Sequence, residues 1–537
     1  MKNMQFCWLL LAALLVANAH SASIPDEDWG YVEVRTDANL FWWLYGSNNT
    51  QTSLPRGQQP LVLWLQGGPG ASSIAYGNFQ EMGPLDVDLK PRNSTWVQAA
   101  NVLYLDQPVG TGWSYVGPNG TYTTTNAEIA ADVLTLMKAF LAVYPDFQTA
   151  PFFIFSESYG GKMTSTIATV LLDSVAKGAL KLNFRGVALG DSWINGIDYV
   201  TTWGPLLQSL SEMTQHELQT LTTLAVTPCA NAVAAGNWTE ATNLWSLTEG
   251  LISGFSCVNF YNSLQVDCGL GDVLADSDRF PPSVMKNAPV GMEYNALRRL
   301  YARHVLRDPT ASVSLNASFP QDYNCTECIQ AGGTYCLDQN RCWAGKDAGC
   351  LFQCQGCVPY YPSDCPNTTQ QPSQPTVASH VLRDPIDDLM NGPIRAKLNS
   401  GPKGHIMPDF FNFGSQSSKV FATLSGDFMK PVLEDSDSLL SGGKINVTVY
   451  EGQLDLICAT VGAELWMSRL KWPDLPNFLA SPKKSYSAQK GRTDLFRQSY
   501  KTLSLWYVMM AGHMVPTDNP AGALLLLQTI LREQSGL

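Results

Sequence analysis

Four apolar residues, Phe152-Phe-Ile-Phe155, run without a break into Ser-Glu-Ser158-Tyr-Gly-Gly161, and apolar residues at helical spacing follow at once over Lys162–Val175. A short run of aromatic or β-branched residues reads as a buried strand, and the change of period from 2 to 3.6 marks a strand that passes through a tight turn into a helix. The same kind of run recurs at Leu61–Leu65, Val102–Leu105, Phe184–Leu189, Val447–Tyr450 and Leu505–Met510, and Ala127–Tyr144 carries a second helical pattern. Strands that alternate with helices predict an α/β fold with a mostly parallel central sheet.

The turn itself carries chemistry. Ser156-Glu-Ser158-Tyr-Gly160 fits a G-x-S-x-G elbow with serine in place of the first glycine, in the strand–turn–helix context that exposes a nucleophile. By itself the motif also admits a plain strand–helix turn, the lesser reading. A serine nucleophile needs a base, and the base needs an orienting acid. Six histidines are available, His20, His216, His304, His380, His405 and His513, and only His513 follows directly on a strand-like run. Asp455 stands likewise just past Val447–Tyr450. In parallel sheets function gathers at the carboxyl ends of strands, and the order Ser158, Asp455, His513 is that of α/β-hydrolases. The N–H of Tyr159, next to the serine, is one expected oxyanion donor. The second is expected on Gln66-Gly67-Gly68-Pro69-Gly70 after Leu61–Leu65. Pro69 has no N–H, which leaves Gly68. A phosphate-binding loop is the competing reading of these glycines, and no Gly-Lys-Ser/Thr follows them.

The ends and the middle of the chain say where such a protein works. Lys2, the apolar Phe6–Ala17 and the small-x-small Ala17-Asn-Ala19 make a secretory signal peptide over residues 1–19, a first buried helix being the other reading. Asn-x-Ser/Thr sequons at Asn48, Asn93, Asn119, Asn237, Asn316, Asn324, Asn367 and Asn446 point to the same route. Of 13 cysteines, Cys7 leaves with the signal peptide. Eight of the rest crowd into Cys325, Cys328, Cys336, Cys342, Cys350, Cys354, Cys357 and Cys365. Two C-x-x-C pairs there admit zinc, but disulfides suit a secreted chain better. The hexapeptide His304–Pro309 recurs at His380–Pro385 and brackets this stretch, as expected of an insertion. The expected organisation is therefore a signal peptide over 1–19, hydrolase core over 20–200 and 380–537, a helical cap over 201–309 with runs such as Leu206–Leu224, and a cysteine-rich insert over 310–379. The net charge of −12 disfavours nucleic acid and anionic membrane as partners, and no further apolar run reaches the roughly 18 residues of a membrane span.

Six motifs in order, Trp64–Ser73, Glu81-Met-Gly-Pro, Asp106–Ser114, Glu157–Gly161, Gly452–Asp455 and Gly512–Pro516, resemble the serine carboxypeptidases, and Gln66, Ser156 and Gly452-Gln-Leu-Asp455 are most similar to its retinoid-inducible branch. The resemblance spans nearly all of the chain outside the cysteine-rich stretch. It implies an α/β-hydrolase that removes single amino acids from peptide C-termini, without metal or organic cofactor, secreted or lysosomal. It also implies a site for the substrate's terminal carboxylate at Gln66, the backbone of Gly67, Glu81 and Glu157, near Trp64, with Met514 lining the pocket for the departing residue. A carboxylate cannot sit beside two ionised glutamates, so Glu81 and Glu157 are expected to hold protons and to favour acidic pH. Three departures from the family pattern stand out: Gln66 for asparagine, Ala71 for a disulfide cysteine, and Ser156 for the elbow glycine. Cys458, three residues past Asp455, is expected as a free thiol near the site. An acyltransferase on the same scaffold, or a binding protein that performs no chemistry, are the alternative functions. Side-chain preference and oligomeric state are not legible.

Overall fold

The computed structural model describes residues 24, 26–265, 335–338, 341–343, 385–400, 412–488 and 490–536. The expected signal peptide lies outside them, as do Asn316, Asn324, Asn367, His20, His304, His380, His405 and all of the cysteine-rich stretch except the backbone of two short strands. The chain divides into two compact units: Met1–Tyr199, Phe260–Ser263 and Asp384–Leu537 form one, and Val200–Asn259 with Leu264–Arg383 the other.

The first unit is built on an eleven-stranded sheet. In chain order the strands are β1 (Glu27–Arg35), β2 (Ala38–Tyr45), β3 (Leu61–Leu65), β4 (Asn101–Asp106), β5 (Tyr115–Val116), β6 (Pro151–Glu157) and β7 (Asn183–Gly190). A hairpin in the second unit, β8 (Tyr335–Asp338) and β9 (Arg341–Trp343), comes next; then β10 (Asn446–Gly452), β11 (Lys484–Tyr486), β12 (Leu495–Tyr500) and β13 (Leu503–Val508). The spatial order is β1-β2-β4-β3-β6-β7-β10-β13-β12-β11, with β5 on β2. The six strands from β4 to β13 are parallel, and antiparallel ribbons close both ends. Every residue of β3, β4 and β6 is buried. Strands covered on both faces need such unbroken apolar runs, which is why these were readable from sequence. Helices Asn126–Val143 and Tyr159–Ala176 follow the pattern expected at Ala127–Tyr144 and Lys162–Val175. The first is set by a capping box of Thr125 and Glu128.

Apart from the β8–β9 hairpin, the described part of the second unit is mostly helical: Gln215–Leu221, Thr227–Ala234 and Trp238–Ser256. The run Leu206–Leu224, which the periodicity reads as one helix, is broken. Helix Gly196–Ser209 stops, Ser211 takes a φ of 64°, and a new helix starts at Thr214, boxed by Glu217. The Thr-x-x-Glu start signal overrides an apolar spacing that happens to continue through the turn. In the β8–β9 hairpin Cys336 stands opposite Cys342. No helix among the described residues is long and apolar enough to cross a membrane.

Candidate active site

Because β3, β6, β7, β10 and β13 are parallel, their carboxyl ends share one edge of the sheet. Gln66–Gly68 follow β3, Ser158 follows β6, Asp191 follows β7, Asp455 lies three residues past β10 and His513 five past β13. Ser158 sits at φ 61°, ψ −130°, a conformation that L-residues rarely adopt and that marks a strained elbow. It is held there on both sides: its N–H donates to Gly190 O at 3.0 Å, and its carbonyl accepts from Gly161 N at 3.0 Å and Trp193 N at 2.9 Å. Tyr159 opens the following helix, so its N–H is one of the donors that a helix leaves unpaired inside its first turn. Ser156 is fully buried, and its Oγ donates to Ala188 O at 3.4 Å, which absorbs the hydroxyl that replaces glycine.

His513 and Asp455 are joined by a 2.8 Å contact between Nδ1 and Oδ2, with both side chains almost entirely buried. A carboxylate on Nδ1 fixes the tautomer that leaves Nε2 free to act as base. The pair is steadied by a short strap, Phe260–Ser263. Phe260 O accepts from Leu456 N at 3.1 Å and Ile457 N at 3.0 Å; Ser263 N donates to Leu454 O at 2.8 Å; and Tyr261 O accepts from His513 N at 2.7 Å. The Tyr261 ring meets the imidazole edge-on, 4.8 Å between centroids. Cys458 is a buried free thiol, raised by burial and then by the Asp455 charge. Among the described residues, Asp455, Cys458 and His513 are the one group with ligand atoms gathered tightly enough for a metal, within 4.8 Å of one another. An ion there would have to take the atoms that His513 and Asp455 use on each other.

Beside the serine lies a carboxyl pair. Trp64 Nε1 donates to Gln66 Oε1 at 2.8 Å, and Gln66 Nε2 donates to Glu157 Oε1 at 2.6 Å. Indole N–H is a donor only, so the Gln66 oxygen must face Trp64 and its NH₂ must face Glu157. Glu81, on the wide helical turn Ser73–Met82, is 1% exposed and Glu157 2%. Burial pushes Glu81 up to about 7, against the opposing pull of the neighbouring Glu157 and Gln66 side chains and the charges of His513 and Arg92. Burial, then the neighbouring Glu81, pushes Glu157 well above the ordinary carboxyl range. Two buried carboxyls this close together do not both ionise readily, so the pair retains protons at pH values where free glutamate is ionised. Half-buried Met514 lies close by, its Sδ 3.9 Å from Gln80 Nε2.

Gly67 is a contact residue in its own right. A Cβ there would stand 2.5 Å from Ser158 Cβ and 2.7 Å from Tyr159 N. Only glycine lets the loop after β3 touch the elbow. Gly67→Ala is expected to push the two loops apart and lower kcat on the order of a hundredfold, with the fold retained. Steady-state kinetics at a temperature well below unfolding check this, and an unchanged kcat would refute the close-contact account. Gly68 has a φ of +101°. The loop is tied down without the missing cysteine: Ala71 pairs with Gln416 as an isolated antiparallel bridge, Ser72 N donates to Ser415 O at 2.9 Å, and Ser417 N donates to Gly70 O at 2.8 Å.

The profile described as serine carboxypeptidase matches residues 21–347 and 354–533. The chain belongs to that family. It is 39% identical over 536 residues to the retinoid-inducible serine carboxypeptidase of Homo sapiens, across 98% of this chain and 97% of that one. It is also 34% identical to serine carboxypeptidase-like 51 of Arabidopsis thaliana, across 94% and 92%. A solved structure of a prohormone-processing carboxypeptidase from Saccharomyces cerevisiae shares the fold, with a TM-score of 0.64 at 15% identity over 97% of this chain and 94% of that one. The protein is thus a serine-type carboxypeptidase, a hydrolase that releases single C-terminal amino acids from peptides.

Several groups at this serine carboxypeptidase's site escape a sequence reading. Asp191, with φ 40°, accepts Gly452 N–H at 2.6 Å and is fully buried, as is Glu451. Burial first, and then the Asp455 charge, raises both. The strand-end rule that found Asp455 would have found Asp191, the residue directly after β7. Tyr261 has no such signal, because Asn259-Phe-Tyr-Asn262 belongs to no strand or helix pattern. Lys162 carried a faint one, a lysine in the first turn of an otherwise buried helix face. Of the described sequons, Asn48, Asn93, Asn119 and Asn237 are exposed, whereas Asn446 heads the central strand β10, half-buried, with Nδ2 3.4 Å from Arg185 O.

Proposed function

We propose that Ser158 is the nucleophile, His513 its general base and acid, and Asp455 the group that orients the imidazole. Ser158 Oγ attacks the carbonyl carbon of the last peptide bond while His513 Nε2 takes the hydroxyl proton. The oxyanion that forms is met by the N–H groups of Tyr159 and Gly68. His513 gives the proton to the leaving amine, the C–N bond breaks, and the terminal amino acid departs. Water then attacks the ester by the same route, which returns the proton to Ser158 Oγ and releases the shortened peptide.

The terminal carboxylate of the substrate is held by Gln66, the backbone of Gly67, and Glu81 and Glu157 as proton donors, beside Trp64, with Met514 lining the pocket of the departing side chain. What supports this most is the buried pair of Glu81 and Glu157, both raised, with Glu157 directly before Ser158: a neutral acid is a donor that an anion can approach, and it explains why an exopeptidase would keep two buried carboxyls here. The same pair makes acidic pH the working range. A secretory route follows from residues 1–19 and the sequons, with the product secreted or lysosomal, glycans on the exposed asparagines, and residues 201–309 and 310–379 as a helical cap and a disulfide-stapled insert on a core of 20–200 and 380–537.

Comparison of a blocked dipeptide acid with its C-terminal amide tests the carboxylate site. Hydrogen bonds to a charged group contribute about 1.5–3 kcal/mol, so loss of two is expected to lower kcat/KM on the order of a hundredfold or more for the amide. Equal turnover of acid and amide would sink the assignment.

A further inference from the structure

A cation lies buried beneath the nucleophile elbow. Lys162 stands in the first turn of the helix that Tyr159 opens, and its side chain is 1% exposed. Its ammonium donates to Phe428 O at 3.1 Å and to Asp427 O, and forms an ion pair with Asp427 Oδ2 at 3.2 Å. The same Asp427 Oδ2 accepts the Tyr159 hydroxyl at 3.1 Å. The Phe428 ring stacks on Tyr159 with centroids 5.7 Å apart and planes 6° from parallel, and Lys162 Nζ lies 5.0 Å from the centre of the Tyr159 ring. Trp193 closes the other side: its indole donates to Phe428 O at 3.2 Å, and its backbone N–H to Ser158 O at 2.9 Å.

This is a poor place for a positive charge. The amino end of a helix repels cations, and burial strips the ammonium of water, which pushes Lys162 down to about 8 despite Asp427. Stability does not explain its presence either. A buried ion pair exchanged for apolar side chains of similar volume is usually neutral or stabilising. What the pair does is hold Tyr159. Ring, hydroxyl and stacking face are each fixed by Lys162, Asp427 or Phe428, and a side chain fixed at three points leaves its own Cα and N–H no freedom to turn.

We infer that Lys162 and Asp427 are positioning residues of the oxyanion hole, which lock Tyr159 so that its backbone N–H aims at the charge that develops on the scissile oxygen. This rests on the assignment of Tyr159 as oxyanion donor and of Ser158 as nucleophile. The donor meets charge only in the transition state, so its misalignment costs kcat and leaves ground-state binding alone.

The informative variant is the double exchange Lys162→Met with Asp427→Leu, which removes both charges at once and strands neither. It is expected to fold, to lose about tenfold to a hundredfold in kcat on a blocked dipeptide acid, and to keep KM within about twofold. Its affinity for a peptide boronate, which binds as a tetrahedral adduct on the serine, is expected to fall by the same factor, while inhibition by the released amino acid stays unchanged. Tyr159→Phe, which deletes only the hydroxyl link to Asp427, is expected to show a smaller loss of the same kind and carries the test should the double variant not fold. Full kcat in Tyr159→Phe or in the folded double variant overturns the inference, as does a parallel loss of kcat, product binding and melting temperature, the mark of a purely structural pair. A fluorophosphonate label on the wild-type protein keeps the two readings apart. Label on Ser158 with unimpaired variants refutes the clamp alone; activity with no label on Ser158 refutes the nucleophile assignment, and the clamp with it.

Discussion

Ser158→Ala is expected to lower kcat for release of a C-terminal residue on the order of a million-fold, to the level left by substrate binding and oxyanion stabilisation. His513→Ala is expected to lose about as much, and the double variant hardly more, because nucleophile and base act as one unit. Asp455→Asn, which keeps the shape but donates to Nδ1 instead of accepting from it, is expected to lose roughly ten-thousand-fold. The expectation follows from geometry: a serine forced to φ 61° at the end of β6, and a buried imidazole held 2.8 Å from a buried carboxylate. Release of a free amino acid, followed by chromatography so that trace contaminating peptidases are seen as such, checks all three. A Ser158→Ala protein that folds normally and keeps even a hundredth of its activity would show that another residue attacks.

The second large effect is on pH. Glu81, raised to about 7, and Glu157, raised well above its ordinary value, are neutral in mildly acidic solution and ionise as pH climbs. The substrate's terminal carboxylate, with a pKa of roughly 3.5, is already an anion across that range. Below about pH 7 the site therefore offers protons to an anion, and above it the site sets one anion against another. Once the pair has lost its proton, kcat/KM for a free-carboxylate substrate is expected to fall about tenfold per pH unit, chiefly through KM. A substrate that ends in an amide or ester lacks this dependence. Glu157→Gln removes a neighbour that lowers Glu81 and is expected to move the descending limb upward, whereas Glu81→Gln removes a charge that helps to raise Glu157 and is expected to move it less or the other way, each at the expense of activity in acid. A profile that rises through neutrality and stays high, or one unchanged by both exchanges, would mean that the pair does not govern binding.

The parts of this molecule that were legible in sequence share one property: their signal is local. β3 is readable because five consecutive apolar residues must be covered on both faces, and the elbow because strand, small residues and helix adjoin within ten positions. Ser158, Asp455 and His513 were singled out because strand ends collect function and the order of the three matters. The ribbons at the margins were not legible. β1 is half-exposed and mixes acids with aromatics, and β12 alternates too weakly to be told from a loop. The Lys162–Asp427 pair bridges 265 residues, and no spacing rule reaches that far. The break at Ser211 was hidden because periodicity counts apolar residues and ignores the Thr214–Glu217 start signal inside the run.

The placement of β10 between β7 and β13 has a consequence for the life of the chain before it is finished. β6 and β10 meet through the Tyr450 hydroxyl on Ser156 O, across 294 residues of sequence. At about 5–20 residues per second, a ribosome takes on the order of 15–60 s to make that stretch. Throughout that interval the elbow serine exists without the strands that lead into Asp455 and His513. Every other protein being made around it is a peptide chain, and until its last third has been made this hydrolase is mute towards them all.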